Sequence, residues 1–184
     1  MKIIYALLIF IVLAIGGVMG FVYSGIYSIG ADIPHNKVEF WLLETLRKNS
    51  IARASANITV PSLESVELLM AGGPDYNDMC AGCHLKPGKK QSDMSIGLYP
   101  APPNLSTASL AVDHDLTDAE QQARQQFWVI KHGIKASGMP AWGPTHDDQR
   151  IWAMVAFLQK LPDLTPEQYL ILTARDVDED DAQH

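Results

Sequence analysis

Five consecutive residues, Cys80-Ala81-Gly82-Cys83-His84, constrain this chain more than any other stretch. They form the Cys-x-x-Cys-His pattern of covalent c-type haem attachment. Two thiols three positions apart on one turn of backbone reach the two vinyl groups on one porphyrin edge, and each closes a thioether. The next residue, His84, then sits beneath the iron and supplies an imidazole nitrogen as proximal ligand. Gly82 lets the backbone approach the macrocycle with no Cβ in between. Three other uses of the cysteines fit less well. A zinc site needs four ligands, and with only 2 cysteines in the chain two or more histidines would have to come from afar. A thioredoxin-like redox pair requires a strand before it and a helix after it in an α/β pattern, which the flanks do not offer. A disulfide between such close cysteines closes almost no loop and stabilises little. The haem reading consumes both thiols.

A sixth ligand for the iron is expected downstream. Gly138-Met139-Pro140-Ala141-Trp142-Gly143 places a methionine in a short loop bounded by glycine and proline, which holds its thioether at a fixed height. On these residues, the stretch 61–162 resembles a class I cytochrome c domain. The whole chain is similar to the membrane-anchored monohaem cytochromes c of bacterial respiratory chains. Cys80, Cys83 and His84 match the family's attachment motif, and Met139 matches its distal ligand in a Met-Pro context. The resemblance implies an all-α helical fold around one covalent haem c, with His84 and Met139 as the metal ligands. It also implies attachment of that haem outside the cytoplasmic membrane, which places the domain in the periplasm.

The residues before this domain read as a membrane anchor. Residues 3–23 carry no charge, and as a helix they span ~31 Å, the thickness of a bilayer's hydrocarbon core. A cleaved secretory signal is the competing reading, with a tolerable cleavage site before Gly25. The apolar run is longer than the ~7–15 residues usual for such signals, which favours an uncleaved helix. Lys2 precedes the span, so the positive-inside rule puts the N-terminus in the cytoplasm and the haem on the other side. Gly16 and Gly20 stand four apart, a spacing that either lets another helix approach closely or reflects the ordinary abundance of glycine in such helices.

The expected division is an anchor over 1–24, a neck with an amphipathic helix over 25–60, the cytochrome c domain over 61–175 and an acidic tail over 176–184. Tyr23 and Tyr27 suit the membrane interface, and Pro34 breaks any helix leaving it. In the neck, Val38, Trp41, Leu42 and Leu46 fall on one face, widened by Phe40 and Leu43, with Lys37, Glu44, Arg47, Lys48 and Arg53 on the others. This helix either packs on its own domain or lies on the membrane or a partner. In the domain, Ser62, Glu64 and Ser65 open a helix running to about Ala71, interrupted by Gly72-Gly73-Pro74. Leu68, Leu69 and Tyr76 are its expected crossing residues. The resemblance implies that the proline-rich loop 97–105 runs under the proximal side of the haem, with Pro102 or Pro103 beside His84 and Tyr99 or Asn104 at the haem edge. Thr117-Asp118-Ala119-Glu120 reads as a capping box for a helix ending near His132. His132 is a weaker candidate for the distal ligand, because a histidine at a helix end is more often a capping or surface residue. Thr145 is expected to cap the last core helix, whose buried face is Ile151, Trp152, Val155, Phe157, Leu158 and Leu161. The resemblance implies Trp152 against the first helix, and the Trp142 indole could reach a haem propionate; both equally suit ordinary core tryptophans. A short helix is expected from Pro166.

With 14 basic and 21 acidic residues, the formal charge is −7, which argues against nucleic acid as a partner. A haem with both axial positions filled points to one-electron transfer rather than to an enzyme. The expected partners are the membrane and redox proteins, with a dehydrogenase or quinol-oxidising complex on one side and a terminal oxidase on the other. A permanent subunit of a larger oxidoreductase is the alternative. A ligand-responsive sensor or peroxidase is a weaker one, because the sequence displays no positioned acid–base pair.

Overall fold

The structure, a computed structural model, describes residues 1–107 and 118–175. The described residues are helical, with no strand among them. The chain divides into two compact units, Met1–Ile33 and Pro34–His184.

The first unit is one long helix, α1, Lys2–Ser24, followed by a short segment. Its 23 residues give a length of ~34 Å, and none of them is buried. Gly25, at φ 65°, ends it in the left-handed conformation that glycine adopts without strain. A Cβ on Gly16 or Gly20 would meet nothing within 4 Å, so that face is open.

The second unit begins with α2, Lys37–Ser55. Asn36 caps it by accepting from the N–H groups of Val38 and Glu39, and the Glu39 carboxylate accepts from the Asn36 N–H in return. Its C-terminal half buries Ile51 and Ser55. Arg124 donates to the Ala56 carbonyl at 3.0 Å, so the end of this helix is bound into the same unit as the cysteine motif.

The core is built by α3 (Val66–Asp75), a π-helical turn (Tyr76–Cys80), α4 (Ala81–His84), α5 (Asp93–Ile96), α6 (Ala119–His132), α7 (Asp148–Lys160) and α8 (Pro166–Leu172). The expected interruption of α3 does not occur. The helix starts later, at a Ser65 cap, and runs straight through Gly72-Gly73-Pro74. Gly72 marks the crossing with α7 and Gly73 the approach of α8: a Cβ on Gly72 would lie 2.0 Å from the Ala153 carbonyl oxygen, and one on Gly73 2.1 Å from that of Leu172. Backbone approaches this close exclude every side chain, which is why two helix-weakening glycines sit inside a helix. Trp152 stacks on Phe127 of α6, centroids 4.2 Å apart and 18° from parallel. Tyr76 fills the place beside the glycines, packed against Phe157 and Tyr169.

The cap of α7 also differs. Asp147 accepts from the Arg150 N–H at 2.8 Å, whereas Thr145 turns back to the Trp142 carbonyl. A carboxylate accepts more strongly than a hydroxyl near the positive helix end, so the later residue wins. For α6 the cap is Asp118, accepting from the Glu120 N–H; Thr117 lies outside the described residues, as does the acidic tail. The buried set of α7 is wider than one face, adding Ala153, Met154 and Ala156 to the expected Ile151, Val155, Phe157 and Leu158. Short α8 follows as expected, with Tyr169 in the core donating to Asn77 Oδ1.

Candidate haem site

The π-helical turn at Tyr76–Cys80 delivers the motif. Such single π turns shift the register of a helix by one residue and recur at functional positions. Cys80 and Cys83 are both free and half-buried, one turn apart at the edge of α4. Burial pushes the Cys80 thiol up to about 12, far from the depressed value of a redox-active pair.

His84 ends α4, and its Nδ1 lies 2.9 Å from the Pro103 carbonyl oxygen. With Nδ1–H donating there, the tautomer is fixed and Nε2 is the nitrogen left to coordinate a metal. Burial lowers the imidazole pKa, partly countered by that hydrogen bond, which favours the neutral ring that ligation requires. Of the two prolines expected beside His84, Pro103 makes the contact. Tyr99 packs edge-on against His35 ahead of α2, and the Asn104 side chain accepts from the Ser106 N–H and donates to the Lys89 carbonyl.

The backbone around His84 is held by groups the sequence did not reveal. Tyr76 donates its hydroxyl to the Leu85 carbonyl at 2.6 Å, and the Leu105 N–H donates to the His84 carbonyl at 3.1 Å. Leu85 itself has φ 67° and ψ 179°, an extended positive-φ state that only glycine adopts freely. The chain therefore reverses sharply just after the histidine.

Met139 is half-buried on the rim of the core cluster, alongside Met79, Cys80, Ala81 and Trp142. Its loop is pinned to the end of α6. Ile134 N–H donates to the Met139 carbonyl, Trp142 N–H to Ile130, and Gly143 N–H to Lys131. Gly133, at φ 65°, allows this: a Cβ there would lie 2.7–2.8 Å from backbone atoms of residues 139–141. A Cβ on Gly138 would meet Leu98 at 2.7 Å, so the segment that carries Pro103 touches the methionine loop. His132 is exposed at the C-terminal turn of α6, tilted against Trp128 with centroids 5.0 Å apart. The Trp142 ring meets His146 edge-on.

These residues fit a haem. Two unpaired thiols, an imidazole with one nitrogen committed and a tethered thioether are the donor set of a six-coordinate c-type centre, and no cluster of three or more His, Cys, Asp or Glu among the described residues offers a competing metal site. The chain matches no curated protein and no solved structure. The family model described as cytochrome C oxidase, cbb3-type, subunit III matches residues 67–158, half of the 184-residue chain, and the match runs from α3 through the Cys-x-x-Cys-His motif and the methionine loop into α7. With its apolar N-terminal helix of membrane-crossing length, the chain belongs to this family and is a membrane-anchored class I cytochrome c.

Proposed function

We propose that the protein is a membrane-tethered electron carrier with a single haem, joined through Cys80 and Cys83 and ligated by His84 and Met139. It transfers electrons between respiratory complexes on the periplasmic side of the bacterial inner membrane, with its N-terminus cytoplasmic and residues 61–175 as the cytochrome domain. The observation that carries this reading is the commitment of His84 Nδ1 to the Pro103 carbonyl, which leaves Nε2 for iron. A haem ligated by imidazole and thioether supplies one-electron exchange between ferric and ferrous iron, with methionine raising the potential. The chain's part is positional. Tyr76, Leu105 and Pro103 fix the histidine, and the loop bonds to α6 keep Met139 from leaving, so little reorganisation accompanies each exchange.

The family description supports a second reading, a permanent subunit of an oxidase. Mild solubilisation of native membranes separates the two: a carrier migrates alone, a subunit co-purifies with its oxidase in fixed ratio. The carrier chemistry is tested by ligand binding. Ferrous wild-type protein is expected to take up carbon monoxide poorly at neutral pH, and Met139→Ala readily, with loss of the weak far-red band of ferric methionine ligation. His132→Ala is expected to change neither. Rapid and complete binding by the wild type would favour the sensor or peroxidase class.

A further inference from the structure

The face that α2 leaves uncovered is inverted. In an ordinary surface helix the apolar side turns inward and the charged side outward. Here Glu44 and Arg47 form a two-bonded ion pair, at 2.6 and 2.9 Å, with side chains only 28% and 38% exposed. Val38, Trp41, Leu42 and Leu46 are 72%, 65%, 57% and 65% exposed. The apolar residues cluster in the first half of the helix, ahead of the Ile51 and Ser55 contacts that bind its second half to the core.

We infer that the first half of α2 docks on the lipid surface of the membrane that holds α1, seated at the headgroup–acyl boundary. Three observations select lipid over a protein. Only residues 25–36 separate the end of α1 from the start of α2, a reach of at most ~43 Å, so a bilayer is at hand at high effective concentration whenever α1 is inserted. Exposed apolar side chains recur along that connection, at Ile26, Tyr27, Ile29 and Ile33. The side-chain chemistry is that of an interfacial helix: Trp and Leu outward, exposed Lys37 and Arg53 for lipid phosphate, and both carboxylates engaged, Glu39 by its own N-cap and Glu44 by Arg47. Such docking would confine the domain to a limited set of orientations above the membrane.

The test uses full-length, haem-loaded protein in nanodiscs of dioleoyl phosphatidylcholine and phosphatidylglycerol. Because haem attachment consumes the native thiols, Leu42→Cys gives a single site for an environment-sensitive fluorophore. Leu13→Cys reports on the anchor, and Asp163→Cys, an exposed position, reports on water. Emission is compared between ordinary lipids and lipids brominated at a shallow or central acyl position, which cancels quenching by the haem. The expected result is loss of most Leu42-probe emission with shallow bromines, loss at Leu13 with central bromines, and no change at Asp163. Adding Val38→Ser and Leu46→Ser should abolish the Leu42 effect while leaving the haem spectrum intact. A Leu42 probe that stays water-exposed while Leu13 is quenched overturns the inference. So does a blue-shifted Leu42 probe that bromines do not reach, which would place a protein, such as a second copy, on the patch. An unquenched Leu13 probe would contradict the anchor itself and the docking with it.

Discussion

Leu85 carries φ 67° and ψ 179°, a backbone state that costs a non-glycine residue about 1–3 kcal/mol. Burial of its side chain and the hydrogen bond from Tyr76 to its carbonyl hold it there. Tyr76→Phe keeps the ring in the core and removes only that bond. It should lower unfolding free energy by about 1–3 kcal/mol in denaturant titration, with the haem still attached. The second core phenol gives a pH signature. Burial raises the Tyr169 pKa to about 12, from ~10 in the unfolded chain. The folded state thus holds this proton more tightly. Its contribution is complete below pH ~10 and is lost as pH rises through about 12. Tyr169→Phe should flatten the alkaline limb of the stability profile; a limb unchanged by the substitution would place the titration elsewhere. At this scale the Cys80, Cys83 and His84 pattern stood out in the sequence because thioether chemistry demands a fixed spacing. What aims His84 was only half legible, because its partner is a carbonyl, a group every residue carries, and only a proline-rich stretch hinted at Pro103.

Helix existence followed well from periodicity and stop signals, as did the starts of α2 and α8, while the caps of α3 and α7 and the crossings did not. Thr145 and Asp147 compete for one cap, and only the three-dimensional turn around Trp142 decides between them. Gly72-Gly73-Pro74 has the local propensity of a break, yet the tertiary contact overrides it, because only a bare Cα lets α3 approach the Ala153 carbonyl. Gly72→Ala would improve an isolated helix, but here it should destabilise the domain by at least ~1–3 kcal/mol, visible as a lower midpoint in thermal unfolding. An unchanged midpoint would mean the α3–α7 crossing is looser than 2.0 Å implies. The ion cluster of Asp75 with Arg150 and Arg175 ties α3 to α7 and to the segment after α8. No pattern announced it, since its members stand up to 100 positions apart.

For the molecule as a whole, α1 anchors, the first half of α2 presents an apolar face outward, and the second unit carries the redox site. The fold class and the anchor were visible from one pentapeptide and one apolar run, because each obeys a single strong constraint. The sequence leaves the placement of α2 open between its own domain and the membrane or a partner, because its composition is amphipathic whichever side faces in, and only the lower exposure of Glu44 and Arg47 than of Leu42 and Leu46 shows which side faces out. Everything proposed for the site depends on one covalent haem at Cys80 and Cys83. Intact mass of the denatured protein, produced in a maturation-competent periplasm, measures this directly. The expected result is the polypeptide plus one haem, reduced to the bare polypeptide mass in Cys80→Ser/Cys83→Ser. A wild-type mass equal to the bare chain, to the chain less two hydrogens as in a disulfide, or to a haem adduct that persists in the double variant would contradict it.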